Sequence, residues 1–353
     1  MLARGARAVS ILGVDASARP SRGRPPTSGD VARRAGVSRA TVSYVLNEVP
    51  DSRISPKTVA RVREAARELG YVPHAMARSL RAGRSNLVLV PRPGMPSGPL
   101  LDCFYESLED RLQELDYMVI VHGDRAVRGV AGARAWASLR PVGLIVHAER
   151  LTRRAVEVLR TAGTTAILGV GWSPSDLVPT LVHDHAGVGG CAAEYLASRG
   201  RRRLAALVPR EPRLLDLGLV RLAGFQKAAL AGGAEVQRVD LAFDQAEAAV
   251  VAARWARGPR PEGVFTYNDE YAMLLMRAVL DAGLRVPGDL AVVGADDLPL
   301  CELLRPRLTS VHVDAVASAH SVAETLHAMI RGARPRLPSA PVMQSRIVVR
   351  ESA

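Results

Sequence analysis

The chain has 353 residues, 48% of them hydrophobic and only 4% aromatic, with a formal net charge of +12. That length holds two or three cores, while Cys103, Cys191 and Cys301 stand singly with no CxxC pair, which argues against a disulfide framework or a zinc site. Residues 1–85 carry 16 Lys/Arg against 6 Asp/Glu, so +10 of the +12 sits there and the other 268 residues share about +2. Basic charge gathered on one small module is the footprint of a polyanion binder, because phosphate neutralisation supplies most non-specific affinity.

Residues 1–26 are Arg-, Pro-, Gly- and Ser-rich without apolar periodicity and are expected to be a disordered basic tail. The apolar run from Ala8 to Val14 is broken by Ser10 and Gly13 and meets Asp15, a poor export signal. No run of 18 apolar residues exists, so no membrane span is expected, and the chain is expected to be cytoplasmic. Arg22-Gly23-Arg24-Pro25 has two readings: an arm for a narrow minor groove, or a solvated tail with diffuse attraction to phosphate.

Thr27 or Ser28 can cap a first helix that buries Val31, Ala32 and Ala35, and Gly36 supplies the positive φ of a tight turn. Ser38 caps a second helix from Arg39 to about Leu46, with Val42, Val45 and Leu46 inward. Arg39, Ala40, Thr41, Ser43 and Tyr44 are left outside. A helix presenting its first residues this way can enter a major groove, where Arg takes guanine and Ala meets a thymine methyl. Ser38, Thr41 and Asn47 suit phosphate oxygens. A third helix starts at Ser55 and Pro56, runs its apolar stripe through Val59, Val62, Ala66 and Leu69, and ends at Gly70. A three-helix bundle with merely solvated polar residues is the bland alternative.

The stretches DVARRAGVSRATVSYVLN, ISPKTVARVREAARELGY and VPHAMARSLR resemble the headpiece of the LacI/GalR family of transcriptional regulators. The resemblance implies that Arg39, Ala40 and Tyr44 read bases, and that Thr27, Ser38, Thr41, Ser43, Asn47 and Tyr71 contact the DNA backbone. The link from Asn47 to Ser55 is longer than in the pattern it resembles, which touches only local phosphate contacts. Residues 74–81 match the family's hinge helix, too short to hold itself alone. Leu80, with Arg81 beside it, falls at the intercalating position. A plain linker is the alternative for this segment.

From Ser85 onward, short apolar runs alternate with amphipathic stretches, the signature of parallel α/β folds. Expected strands are 87–90, 118–121, 144–147 and 166–169, then 204–208, 263–266 and 290–295. Expected helices include 101–115, 190–198 and 270–282. Two such series mean two Rossmann-like subdomains, with a crevice at the carboxyl ends of the strands.

The resemblance continues in HDHAGVGGCAAEYLASRGRRRLA, RLAGFQKAAL, VFTYNDEYAM, VPGDLAVVGADD, PRLTSVHVD and IVVRES, and implies a periplasmic-binding-protein-like core. It places Asp184, Arg221, Asn268, Asp269 and Asp296 at an effector site. Asp269 and Asp297 also have duller readings, as a helix cap and as loop structure. The loop PRPGMPSGPLLDC lacks the aromatic pair of sugar-responsive relatives, and Trp172 is either a substitute or packing.

Competing signals are weak. Gly187 to Ala192 fits a loose GxGxxA, which the entry to a helix explains as well as a dinucleotide site. His183-Asp184-His185 has no further ligand cluster in sequence to make a metal site. Neither GxSxG nor GxxxxGK[ST] occurs, and neither enzyme activity nor a cofactor is expected. The expected layout is a tail over 1–26, an all-α helix-turn-helix headpiece over 27–73, a hinge over 74–85, and an α/β core over 86–345. The first subdomain takes about 86–199 plus 313–342, and the second about 200–312 plus 343–353. The expected function is a ligand-responsive, sequence-specific DNA-binding regulator, a repressor. It would act as a homodimer on a pseudo-palindromic operator of double-stranded DNA and answer to a small polar effector, a sugar or sugar derivative. The alternative is a solute-binding protein or a sugar-handling enzyme on the same crevice.

Overall fold

Helix α1 (Ser28–Ala35) starts where it does for a local reason: the N–H and the hydroxyl of Thr27 both donate to the Asp30 carboxylate, at 2.8 and 2.6 Å. The computed structural model describes residues 24–46, 54–72, 85–94, 96, 98–123, 127–335, 337 and 342–353, which fall into two units divided after Gly83. Asn47, Leu80, Arg81, the whole 74–81 segment and most of the basic tail lie outside the described residues.

In the first unit Gly36, at φ +62°, ends α1 by donating to the carbonyls of Ala32 and Arg33. Ser38 accepts from the Thr41 N–H at 3.0 Å and opens α2 (Arg39–Leu46). Ser55 and Pro56 open α3 (Pro56–Glu68). The three helices close over Val31, Val42 and Val62, all but fully buried, with Ala32, Ala35, Val45, Ala65 and Ala66 around them. Each of those three valines contributes roughly 1.5–3 kcal/mol by leaving water. The 2.6 Å pair Arg34–Glu68 is exposed and adds little.

The second unit is built on two sheets. The first contains β1 (Leu87–Pro91), β2 (Met118–His122), β3 (Gly143–His147), β4 (Ala166–Gly171) and β5 (Thr180–Val182), all parallel, in the order β2-β1-β3-β4-β5. The second contains β6 (Arg203–Pro209), β7 (Glu235–Leu241), β8 (Gly263–Phe265), β9 (Ala291–Asp296), β10 (Thr309–Val313) and β11 (Ser345–Val348), in the order β11-β10-β9-β8-β6-β7. Only β11 runs antiparallel there. Every expected strand is present within a residue or two; β5, β7, β10 and β11 went unexpected. β5 is three residues long, and β7 alternates with most of its residues exposed, so neither shows a continuous apolar run.

Helices cover both faces of each sheet. On the first, α4 (Pro99–Glu114) and α11 (Ala315–Ile330) bury Leu108, Leu112, Val322 and Leu326, while α5 (Gly129–Ala137) and α6 (Arg153–Thr161) bury Trp136 and Leu159 opposite. On the second, α7 (His185–Ser198) and α8 (Pro212–Ala231) pack on one face, and α9 (Gln245–Arg257) with α10 (Asp269–Asp281) on the other.

This assignment corrects the expected subdomain boundary at 199. Val188, Ala192, Ala193 and Leu196 of α7 pack on Leu204, Ala206 and Phe225, so the chain changes sheets at His183–Asp184. It returns to the first sheet after Val313, where α11 begins, and crosses again before β11. Three crossings therefore join the subdomains.

Helices α7 and α8 touch through their backbones. A Cβ added at Gly189 would stand 2.0 Å from the Arg221 carbonyl oxygen, and one at Gly224 would stand 1.9 Å from that of Ala186. Neither site can give, since both obstacles are main chain. Gly224→Ala should therefore destabilise the second unit by roughly 1–3 kcal/mol through overpacking. A thermal melt should show the drop; a parental midpoint would mean that the two helices part freely.

Candidate functional site

Two surfaces concentrate the candidate residues, one in each unit. On the first unit, Arg39 and Ala40 are exposed and Tyr44 is 50% exposed, all on the face of α2 away from Val42 and Val45. The Ser38 and Thr41 hydroxyls lie 2.9 Å apart, and Tyr71 packs partly on the three-helix core. The Arg39 guanidinium runs beside the start of α1: a Cβ at Gly29 would be 2.6 Å from its Nη2. Thr27, expected at the DNA backbone, uses its hydroxyl on Asp30.

In the second unit a cavity of about 320 Å³ opens where the strands of both sheets end. Pro91, His147, Trp172 and His183 reach it from the first sheet, and Tyr267, Asn268, Asp296 and Val313 from the second. Such crevices at strand carboxyl ends are where α/β folds bind ligands.

Arg221, on α8, forms one wall. Its Nη1 donates to the Tyr267 carbonyl, its Nη2 donates to Asp296 Oδ1 at 2.8 Å, and its guanidinium sits 5.3 Å from the Tyr267 ring centre. The side chain is 3% exposed. Burial works to lower its pKa, but the charge and hydrogen bond of Asp296, with Tyr267 and Asp269, together outweigh it and the guanidinium stays ionised. The Tyr267 hydroxyl, chiefly through burial, is pushed up to about 12. Asp296 itself sits at φ +98°, a strained conformation for a residue with a Cβ and one found most often at functional sites. Asn268 caps α10, accepting from the Tyr271 N–H at 3.0 Å and donating to Glu270 at 3.1 Å, while still lining the cavity.

Two expected effector residues are elsewhere. Asp184 does not line the cavity; its carboxylate accepts the Gly187 N–H at 2.7 Å and caps α7. Asp269 is fully buried behind the cleft, accepting from Leu298 N–H at 2.8 Å and the Ser310 hydroxyl at 2.6 Å. Burial pushes its pKa up to about 7. It braces the loop after β9 against β10 and α10. Both residues carry helix-start or loop duties that a carboxylate performs wherever it sits near free N–H groups. Asp297 likewise pairs with His312 at 3.1 Å and Arg350 at 2.8 Å.

The sequence reading missed a histidine wall. Trp172 lines the cavity with His147 and His185 edge-on, ring centres 6.4 and 6.5 Å away, and His183 meets Phe104 edge-on at 5.8 Å. His183 Nε2 is 3.1 Å from the Ser318 hydroxyl. Burial pulls His147 and His183 down to about 4 and holds His185 well below the usual imidazole value, so all three are neutral at pH 7. His147 ends β3, His183 directly follows β5 and His185 opens α7, so each stands at the end of an element, which was the available signal. Trp172 faces the cavity rather than only packing, and Phe104 and Tyr105 of α4 put aromatic rings there that the preceding loop lacks. Among the described residues no group of three His, Cys, Asp or Glu is placed to hold a metal ion. Nor is any helix among them long and apolar enough to cross a membrane.

Residues 28–74 match the family model for bacterial regulatory proteins of the lacI family, and residues 193–353 match the periplasmic binding protein-like domain. The chain is 30% identical to the ribose operon repressor of Escherichia coli K12 over 299 residues, covering 81% of this chain and 87% of that one. The chain belongs to the LacI family. Among solved structures, it resembles the Lac repressor bound to ONPG in the repressed state, with a TM-score of 0.76 at 25% identity over 94% of this chain and 100% of that one. The CelR–cellobiose complex matches with a TM-score of 0.63 at 26% identity over 93% of this chain and 100% of that one. This LacI-family protein is therefore a ligand-responsive DNA-binding transcription regulator and not an enzyme.

The neutral histidines make core stability pH-dependent. An unfolded histidine takes a proton near 6.5, but folded His183 does so only near 4. Its contribution is full above about 6.5 and lost as pH falls toward 4. Asp269, raised to about 7, works in the opposite direction, so variants must separate the two. His183→Gln, which can keep a hydrogen bond to Ser318, should lose less of its thermal stability between pH 7 and 5 than the parent. Parallel curves would show that His183 protonates freely in the folded core.

Proposed function

We propose that this regulator is a cytoplasmic repressor that binds a pseudo-palindromic operator as a homodimer and is controlled by a sugar or sugar derivative held in the cleft. The observation that carries the reading is the Arg221–Asp296 pair, buried but cleft-lining, at the carboxyl ends of β8 and β9. Its fork and carboxylate suit vicinal hydroxyls, Asn268 adds a donor and an acceptor, and Trp172 offers an apolar ring face. The relatives named for ribose and complexed with cellobiose support the sugar class.

On DNA, we assign base reading to Arg39, Ala40 and Tyr44 and backbone contacts to Ser38, Thr41, Ser43, Asn47 and Tyr71. Thr27 keeps that role only if its hydroxyl leaves Asp30 or accepts in addition. The family resemblance assigns Leu80 and Arg81 to the minor groove. One headpiece reads few base pairs, so two-fold symmetry is needed for specific affinity. Arg39→Ala should relax base preference at one position per half-site, at a cost of about 1–3 kcal/mol. Thr41→Ala should instead weaken binding evenly across sequences. Selection from a randomised operator pool checks both, and parental preference in the Arg39 variant would refute the base-reading role.

Effector control is a coupling between cleft and operator, typically about 1–3 kcal/mol. Asp296→Asn keeps an acceptor for Arg221 but removes the charge, and should weaken any sugar-dependent change in a gel shift at least tenfold while sparing operator binding itself. A variant with the parental sugar response would move the effector site out of this cleft.

A further inference from the structure

Arg39 is the first residue of α2, and its side chain folds back over the first turn of α1. There Gly29 is the second helical residue, and it is buried. A Cβ built at Gly29 would stand 2.6 Å from Nη2, 2.9 Å from Nε and 3.1 Å from Cζ of Arg39. Three atoms of one guanidinium crowd that point, so the group lies across the Gly29 Cα, in space that any other residue would fill with its first side-chain carbon.

No ion pair draws it there. Asp30, the carboxylate of that turn, is taken by the N–H and hydroxyl of Thr27 and by Arg33. Among the described residues Arg39 makes neither a hydrogen bond nor an ion pair, so its donors stay available. Shape alone holds the guanidinium. A long side chain gives up much rotamer freedom when it is fixed on a base, and resting it on a rigid helix turn removes part of that loss before DNA arrives. No bond has to break for the same group to meet a base. The backbone does not ask for glycine here: Gly29 lies outside the left-handed region, and alanine would make the firmer helix.

We infer, resting on the reading of Arg39 as a base reader, that Gly29 is a positioning residue for DNA recognition. Its missing side chain seats the Arg39 guanidinium and so sets the strength of base preference at the position Arg39 reads. Gly29 acts through Arg39 and needs no contact of its own with DNA.

Gly29→Ala is a clean probe, because the obstacle its Cβ meets is the far end of a flexible side chain that can swing away. The full-length parent, Gly29→Ala, Arg39→Ala and the double variant are compared by selection from a randomised operator pool and by titration on the operator that the parent selects. Gly29→Ala should melt no lower than the parent. It should nevertheless lose about three- to tenfold of the base preference at the Arg39 position, a part of what Arg39→Ala loses. In the Arg39→Ala background the same change should cost nothing more, since the two residues act as one. A glycine with a merely structural role would show neither that loss in a helix made firmer nor its dependence on Arg39. Unchanged or sharper preference in Gly29→Ala, a lowered melt, or an equal loss in the Arg39→Ala background overturns the seat and leaves base reading by Arg39 standing. Parental preference in Arg39→Ala removes the base reading itself, and this inference with it.

Discussion

The backbone contact between α7 and α8 sets the geometry on which the rest of the core depends. Glycine at 189 and 224 lets two helix main chains meet with no side chain between them. One helix begins with His185 and the other carries Arg221, so the closeness of the helices places an imidazole and a guanidinium on the same cavity. The contact also lies immediately after the first crossing between subdomains. A separation of even one methyl group would move Arg221 away from Asp296 and from the Tyr267 carbonyl together.

Around that contact, buried charges are arranged so that each has a partner or none is ionised. Arg221 is held by Asp296, Asp269 by two donors, and the histidines by loss of their protons. Removing one member of a buried pair is costly because the other stays behind without compensation. Asp269 links this arrangement to the fold at large. It lies against Gly294, where any Cβ would fall 2.1 Å from its carboxylate, and it fixes the strained turn that aims Asp296 at Arg221.

The first unit follows a different logic. Its core is four valines and four alanines, small enough that caps at Thr27, Ser38 and Ser55 and the turn at Gly36 matter as much as burial. Economy inside leaves α2 free to spend its outer face on Arg39, Ala40 and Tyr44.

Local patterns were enough to read the headpiece, the alternating strands and helices, and the carboxylate and amide at the strand ends. Those signals repeat within a few residues: a cap and its N–H, an apolar stripe at helical spacing, a Gly after the last turn. Even Arg221, Asn268 and Asp296 were legible, because the stretches around them resemble a family pattern. Partnership was decided only by tertiary structure. Asp184 and Asp269 sit in equally suggestive stretches, yet one caps a helix and the other is sealed behind the cleft, since a carboxylate's role depends on which donors folding brings to it. His147, Trp172, His183 and His185 come from the ends of separate elements, and α7 belongs to the second sheet because its apolar face fits there. No periodicity records such meetings across the chain; they follow from the strand order and the crossings, which join residues far apart in sequence.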